Sequence, residues 1–359
     1  MPGLENIISE RTEYLQDASI SLPSDVRGWT LDTRGSPLFI EPQTYSVRTL
    51  DGFIAWARDN IVAIEALLIA HGGLVFRGFD IDGAGDFSRF VKLFDSFKVG
   101  YVGGANVRRE LADEVYEASQ YAAPLKLPLH QEMAYAQDYP GRVIFFCLKP
   151  AERGGETIIC DMREVTRDLP KALRQKLEAH GVSNVRNFTA PRTDGREDSA
   201  NEHPDQKSWK IGFFTDERSE VEAICAEREM KTLWHEDGSL TVTVDFDAFT
   251  PHPVTAELIY RSNIHLDLYT DRALAELPKA VREPIQEMFY NQVVKSGIYL
   301  GDGTALSEKE VETFNALFDK HEVSWDWQPG DIMLLDNLLT AHGRNPFYGN
   351  RDIQVGLLE

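Results

Sequence analysis

The chain has 359 residues, 42% of them hydrophobic, and 58 acidic side chains against 37 lysines and arginines give a net charge of −21. An acidic surface of this size repels nucleic-acid phosphates and anionic lipid, which argues against both as partners, and the hydrophobic share suffices for one large core. Cys147, Cys160 and Cys225 do not make a disulfide framework, residues 1–16 lack an apolar signal core, and no run of about 18 apolar residues offers a membrane span; a cytoplasmic enzyme is the simplest reading.

Residues 1–43 mix short apolar runs with Pro23, Pro37 and Pro42, which predicts an N-terminal arm (about 1–45) with one or two short strands. Phe53, Ile54, Ile61, Ile64, Leu67 and Leu68 recur at helical spacing before Gly72-Gly73, so residues 50–71 read as one core-facing helix with a glycine stop. A strand over 74–79 and a helix over 87–97 follow. From Tyr116 the pattern changes to short strands broken by Gly and Pro, at 126–133, 142–148 and 156–160. A helix over 169–180 precedes an insertion of strands and charged loop at about 186–250. Residues 278–292 read as a helix with proline in its first turn, and 307–320 as another, with Ser307 as cap and Glu310 completing a capping box. Residues 325–327, 332–335 and 353–358 close the chain as strands. No repeat or linker divides it, so 1–359 reads as a single domain, mainly β with flanking helices, in the manner of a double-sheet jelly roll.

A histidine and a carboxylate two residues apart on an extended segment point to the same face. With one distant histidine they can form the 2-His-1-carboxylate face used by non-heme Fe(II) oxygenases. Four pairs have this form: His130/Glu132, His203/Asp205, His235/Asp237 and His265/Asp267. The second lies in a polar run that reads as a solvated loop. The third carries Asp237-Gly238 between strand-like runs, a hairpin signal. Spacing alone leaves His130/Glu132 and His265/Asp267 level.

Context separates them. Gly141-Arg142-Val143-Ile144-Phe145-Phe146 and Gly154-Gly155-Glu156-Thr157 follow Glu132. Near the C-terminus stand Trp327-Gln328-Pro329-Gly330-Asp331, Asp336-Asn337, Ala341-His342-Gly343-Arg344 and Arg351. From about Gly73 onward this order of blocks resembles the taurine dioxygenase and clavaminate synthase family of Fe(II)/2-oxoglutarate oxygenases, especially its natural-product branch. The resemblance implies a double-stranded β-helix with His130, Glu132 and His342 as iron ligands. It implies Thr157 as a hydroxyl that hydrogen-bonds 2-oxoglutarate and Arg351 as the guanidinium for its distal carboxylate, with Arg344 a competing anchor. A planar fork that stays charged is the natural partner of a carboxylate.

Related halogenases replace the carboxylate ligand with a small residue, so Glu132 favours hydroxylation, or desaturation or ring closure from the same hydrogen abstraction. The implied cofactors are Fe(II), 2-oxoglutarate and O2. The implied substrate is an amino acid, free or as a carrier-protein thioester, with Ser119, Gln131 and Arg261 as candidate contacts. Asp336 and Asn337 are candidates to support the metal ligands from behind, and Trp325 and Trp327 read as core. A non-catalytic jelly-roll binding protein or a zinc hydrolase are the rival classes.

Overall fold

The computed structural model describes residues 12–13, 22–97, 109–118, 122–192, 208–266, 275, 277–280, 282–283 and 297–359. Nine strands pair in the spatial order Thr12–Glu13, Val26–Thr30, Leu38–Pro42, Gly73–Phe76, Ile332–Asp336, Arg142–Lys149, Asp352–Leu358, Val115–Glu117 and Glu110–Ala112. A second sheet orders Glu322–Ser324, Thr157–Asp161, Thr340–Arg344 and Leu127–His130.

Side-chain alternation assigns the faces of the large sheet. Ile40, Leu74, Phe76, Ile144, Phe146 and Leu334 meet Phe53, Trp56, Ile64, Leu68, Phe87 and Phe90 of the helices on one side. Their neighbours Phe39, Val75, Val143, Phe145, Met333 and Leu335 pack on the other side with Ile159, Val323, Trp325 and Trp327, on and just beyond the four-stranded sheet. Both faces are dry, which is why the run Ile332–Leu335 is apolar without alternation. The four-stranded sheet is covered in turn by Val165, Leu177, Phe314 and Phe318, which pack with Ile158 and Cys160. The metal-candidate strands therefore lie between two hydrophobic layers.

A third sheet, Lys231–Trp234, Leu240–Phe246, Val182–Phe188 and Gly297–Leu300, builds on the expected insertion. It has its own apolar cluster around Phe188, Trp209, Phe213 and Val221. The Asp237-Gly238 turn joins two of its strands as expected, with Gly238 at φ 82°. The three cysteines are buried and free. No helix among the described residues is long and apolar enough to cross a membrane.

Three local expectations are corrected. The single helix over 50–71 is two, Leu50–Asp59 and Ile61–His71, because Asn60 turns its side-chain amide onto the Trp56 carbonyl at 2.8 Å and leaves helical geometry. The stop at Gly72 holds, with φ 71° and its N–H on the Leu68 carbonyl. The helix over 87–97 is Ala84–Val91, followed by turns. The strand over 325–327 is absent. Its sheet strand ends at Ser324, and the next residues belong to a loop held by side chains. Of the expected helix over 278–292, residues 281 and 284–292 lie outside the described residues. In the expected arm, Val26–Thr30 and Leu38–Pro42 are integral strands of the large sheet.

The 326–331 loop is held by a buried ion pair. Arg77 Nε and Nη2 donate to the two carboxylate oxygens of Asp331 at 3.0 and 2.6 Å, and Nη2 also donates to the Asp326 carbonyl. Asp331 accepts the Gln328 N–H as well. Removing one member strands a buried charge. Arg77→Met should therefore cost about 3–5 kcal/mol, read as a lower urea midpoint at unchanged slope.

His265 is the second polar strut. Its Nε2 donates to the Leu129 carbonyl at 3.0 Å, and its ring lies 4.2 Å from that of Phe318. Burial pushes its pKa down from 6.5 to about 4. The folded value lies below the unfolded one, so the stability is fully present above about 6.5 and is lost as pH falls toward 4. Wild type should lose on the order of 3 kcal/mol more than His265→Gln across that window, measured by urea titration at each pH; parallel pH profiles would refute it.

Candidate metal and oxoacid site

The strands Leu127–His130 and Thr340–Arg344 pair antiparallel with His342 directly opposite His130. This register brings residues 212 positions apart in sequence together, with imidazole centroids 4.6 Å apart. One donor atom each from His130, Glu132 and His342 lies within 4.8 Å of the others, the one such three-residue group among the described residues. Glu132 Oε2 is 3.7 Å from His342 Nε2, and both residues are buried. His130 Nδ1 sits 2.9 Å from the Pro128 carbonyl, so it carries the proton and Nε2 keeps its lone pair. Among the described residues, the buried His342 Nδ1 has no hydrogen-bond partner. Two ring nitrogens and a carboxylate converging at this depth fit a divalent first-row metal.

Glu132 is not on the strand. The strand ends at His130, and the chain turns back through Met133, at φ 54°, with the Ala134 and Ala136 N–H groups on the Gln131 and Met133 carbonyls. Asn337 places the carboxylate instead. Its Oδ1 accepts the Glu132 N–H at 2.8 Å, and its Nδ2 donates to the Glu132 and Pro140 carbonyls at 3.0 and 2.8 Å. Gln131 donates to the Leu338 carbonyl on the same turn. Asp336, expected to support a ligand histidine, instead accepts the Leu338 and Leu339 N–H groups and meets His252 Nε2 at 3.0 Å. Its carboxylate is used up in capping the turn that carries Asn337.

The other end of the pocket is cationic. Thr157 lies opposite Arg344 in the ladder, and both line the pocket with the triad, Arg351, Phe145 and Ile353. Arg351 Nε donates to the Gly155 carbonyl at 2.9 Å and Nη2 to Thr157 Oγ1 at 3.4 Å. Gly155 sits at φ 77° with space for a Cβ only 3.1 Å from Arg351 Cδ, so a side chain there would push the guanidinium aside. Burial, with the neighbouring Arg344 charge, lowers Arg351 to about 10, which leaves it cationic at neutral pH. Arg344 spends Nη2 on the Ala122 and Leu125 carbonyls, and its guanidinium faces the Phe347 ring at 4.8 Å. A metal-type face and the half-buried Arg351 guanidinium in one pocket suit a chelating oxoacid with a distal carboxylate.

Other candidates fall elsewhere. Arg261 donates to Thr250 Oγ1 and the Ala136 carbonyl and lies against Tyr139 and Phe246. It ties down the segment after Glu132, and neither it nor Gln131 is among the residues that line this pocket. His235 meets Thr241 in the third sheet. Ser119, Asp205 and Asp267 lie outside the described residues. Sequence reasoning treated Trp327 as core only; its indole N–H donates to Thr157 Oγ1 at 3.0 Å. The available signal was its place before Pro329-Gly330-Asp331, at the turn leading into a central strand.

Residues 39–357 match the family "Taurine catabolism dioxygenase TauD, TfdA family". The dapdiamide synthesis protein DdaC of Enterobacter agglomerans is 29% identical over 296 residues, 82% of this chain and 84% of that protein. A clavaminate synthase-like protein of Arabidopsis thaliana is 28% identical over 333 residues, 91% and 94% of the two chains. The crystal structure of PvcB from Pseudomonas aeruginosa shares the fold at 16% identity and TM-score 0.52, covering 97% of this chain and 94% of that one. The chain thus belongs to the TauD/TfdA family and is an iron- and 2-oxoglutarate-dependent dioxygenase.

Proposed function

We propose that the enzyme hydroxylates an unactivated C–H bond of an amino acid or amino-acid-derived substrate in secondary metabolism, with His130, Glu132 and His342 holding the iron and Arg351 and Thr157 holding 2-oxoglutarate. The observation that carries this is the convergence of the triad and the Arg351 guanidinium on one pocket. The relatives' pathways support the metabolic setting: DdaC is a dapdiamide synthesis protein, and PvcB is described as an Fe, alpha-ketoglutarate dependent oxygenase from an isonitrile synthetic pathway. The nine- and four-stranded sheets, packed through a shared core, are read as the two faces of a jelly roll in one domain, with the third sheet as its insertion. The site of action is read as the cytoplasm.

When bound, the iron supplies oxidative decarboxylation of 2-oxoglutarate by O2 and the hydrogen abstraction that follows. The protein supplies position. His130 and His342 offer neutral nitrogens on one side, with His130 fixed in its tautomer by Pro128. Asn337 keeps the Glu132 carboxylate on that face. Arg351 gives the distal carboxylate a charged donor, and Phe145 and Ile353 add apolar wall to the same pocket. A retained carboxylate ligand occupies the place a halide would need, which favours oxygen insertion over halogenation.

Anaerobic addition of Fe(II) and 2-oxoglutarate should give the visible charge-transfer band of the chelate. His130→Ala should abolish it, and Arg351→Ala should raise the cosubstrate concentration required by between about tenfold and a hundredfold, the worth of a hydrogen bond to a charged group. No band in wild type would remove the assignment of these residues. Under air, a free amino acid should stimulate succinate release. Stimulation only by a carrier-protein thioester would replace the free substrate with the tethered one.

A further inference from the structure

We propose that Trp327 is a positioning residue for the cosubstrate: it sets the Thr157 hydroxyl as a hydrogen-bond donor, and the buried Arg77–Asp331 pair fixes the loop that presents it. This deepens the proposed binding of 2-oxoglutarate and rests on it.

The inference comes from counting donors. A threonine hydroxyl has two acceptor lone pairs and one proton. Trp327 Nε1–H and Arg351 Nη2 are donors only, and both aim at Thr157 Oγ1, at 3.0 and 3.4 Å. With its lone pairs engaged, Thr157 has only its proton left to offer. Among the described residues no acceptor takes that proton, and Thr157 faces the pocket between the triad and Arg351. A hydroxyl free to rotate could present either a lone pair or a proton. One whose acceptor sites are filled presents the proton, for which an ionised carboxylate is the strongest acceptor and a cationic donor is no partner.

The indole is held from both sides. The carbonyl of Asp326, one residue before it, accepts from Arg77 Nη2, and the N–H of Gln328, one residue after it, donates to Asp331 Oδ2. Arg77 and Asp331 are themselves paired bidentately in the interior. The peptide units flanking Trp327 are thus anchored to one buried ion pair, remote in sequence from Thr157. A purely structural indole would also need an acceptor for its N–H, but then its loss would affect stability and not cosubstrate affinity through Thr157.

The test is a double-mutant cycle on anaerobic 2-oxoglutarate binding to the Fe(II) protein, read by the charge-transfer band, with W327F, T157V and W327F/T157V beside wild type. We expect W327F to weaken binding about three- to tenfold, the scale of one neutral hydrogen bond, and the double variant to bind no more weakly than T157V. Unchanged affinity in W327F, or losses that multiply in the double variant, would overturn the proposal. If W327F does not fold, the six tryptophan indole ¹⁵N–H resonances decide. One must move upfield in T157V and respond to 2-oxoglutarate in wild type only; if none does, the proposal fails. A wild type that binds no 2-oxoglutarate would instead sink the functional reading on which it rests.

Discussion

The structure depends on one backbone ladder, the antiparallel pairing that sets His342 opposite His130. His130 has Glu132 two residues on, but the third member of the group is 212 positions away, so the site exists only when two strands from distant parts of the chain are in register. A slip by one residue would turn one imidazole to the opposite face of the sheet. Packing on the face away from the histidines opposes the slip: Leu129 and Ala341, their neighbours on the two strands, both lock into the helical layer behind. Gly343, next to the ligand, lets the strands approach, since a Cβ there would stand 2.5 Å from the Leu127 carbonyl.

Polar groups in this interior act as fixtures. Asn337 gives both faces of its amide to the chain around Glu132, His265 holds Leu129, and Asp336 caps the turn that carries Asn337. Each satisfies a buried backbone group that would otherwise cost free energy, and each fixes a neighbour of a ligand. Stability and site geometry are therefore set by the same hydrogen bonds, so mutations in this layer couple folding to the arrangement of His130, Glu132 and His342.

Much of this was legible in the sequence, and the failures share a cause. The triad, Thr157 and Arg351 lie in blocks whose order pointed to the family. The capping box at Ser307 and Glu310 and the glycine stop at Gly72 were visible because their physics is local. What was missed is set by partners far away. Asn60 is the exception: its break is local, with its amide on the Trp56 carbonyl four residues back, and no neighbour in sequence distinguishes it from a polar position within one helix. The 325–327 segment alternates like a strand, yet Arg77 and Asp331 claim its backbone. Asp336 and Asn337 are adjacent, and only the fold decides that Asn337 reaches the ligand loop while Asp336 turns to His252.

Charge makes the same point at the level of the whole molecule. A net −21 would suggest a protein that repels anions, yet the pocket sets Arg344 and Arg351 against the single carboxylate of Glu132. At the surface the excess acid is screened within about 10 Å at ordinary ionic strength, so it scarcely reaches the interior. Inside, guanidiniums held near apolar walls and backbone dipoles keep their strength. Burial is the larger cause of the lowered Arg351 pKa, and the neighbouring Arg344 charge adds to it, so the two cations also disfavour each other. A carboxylate set beside them would lessen that repulsion, so the same closeness that disfavours two cations would favour an anion at this end of the pocket.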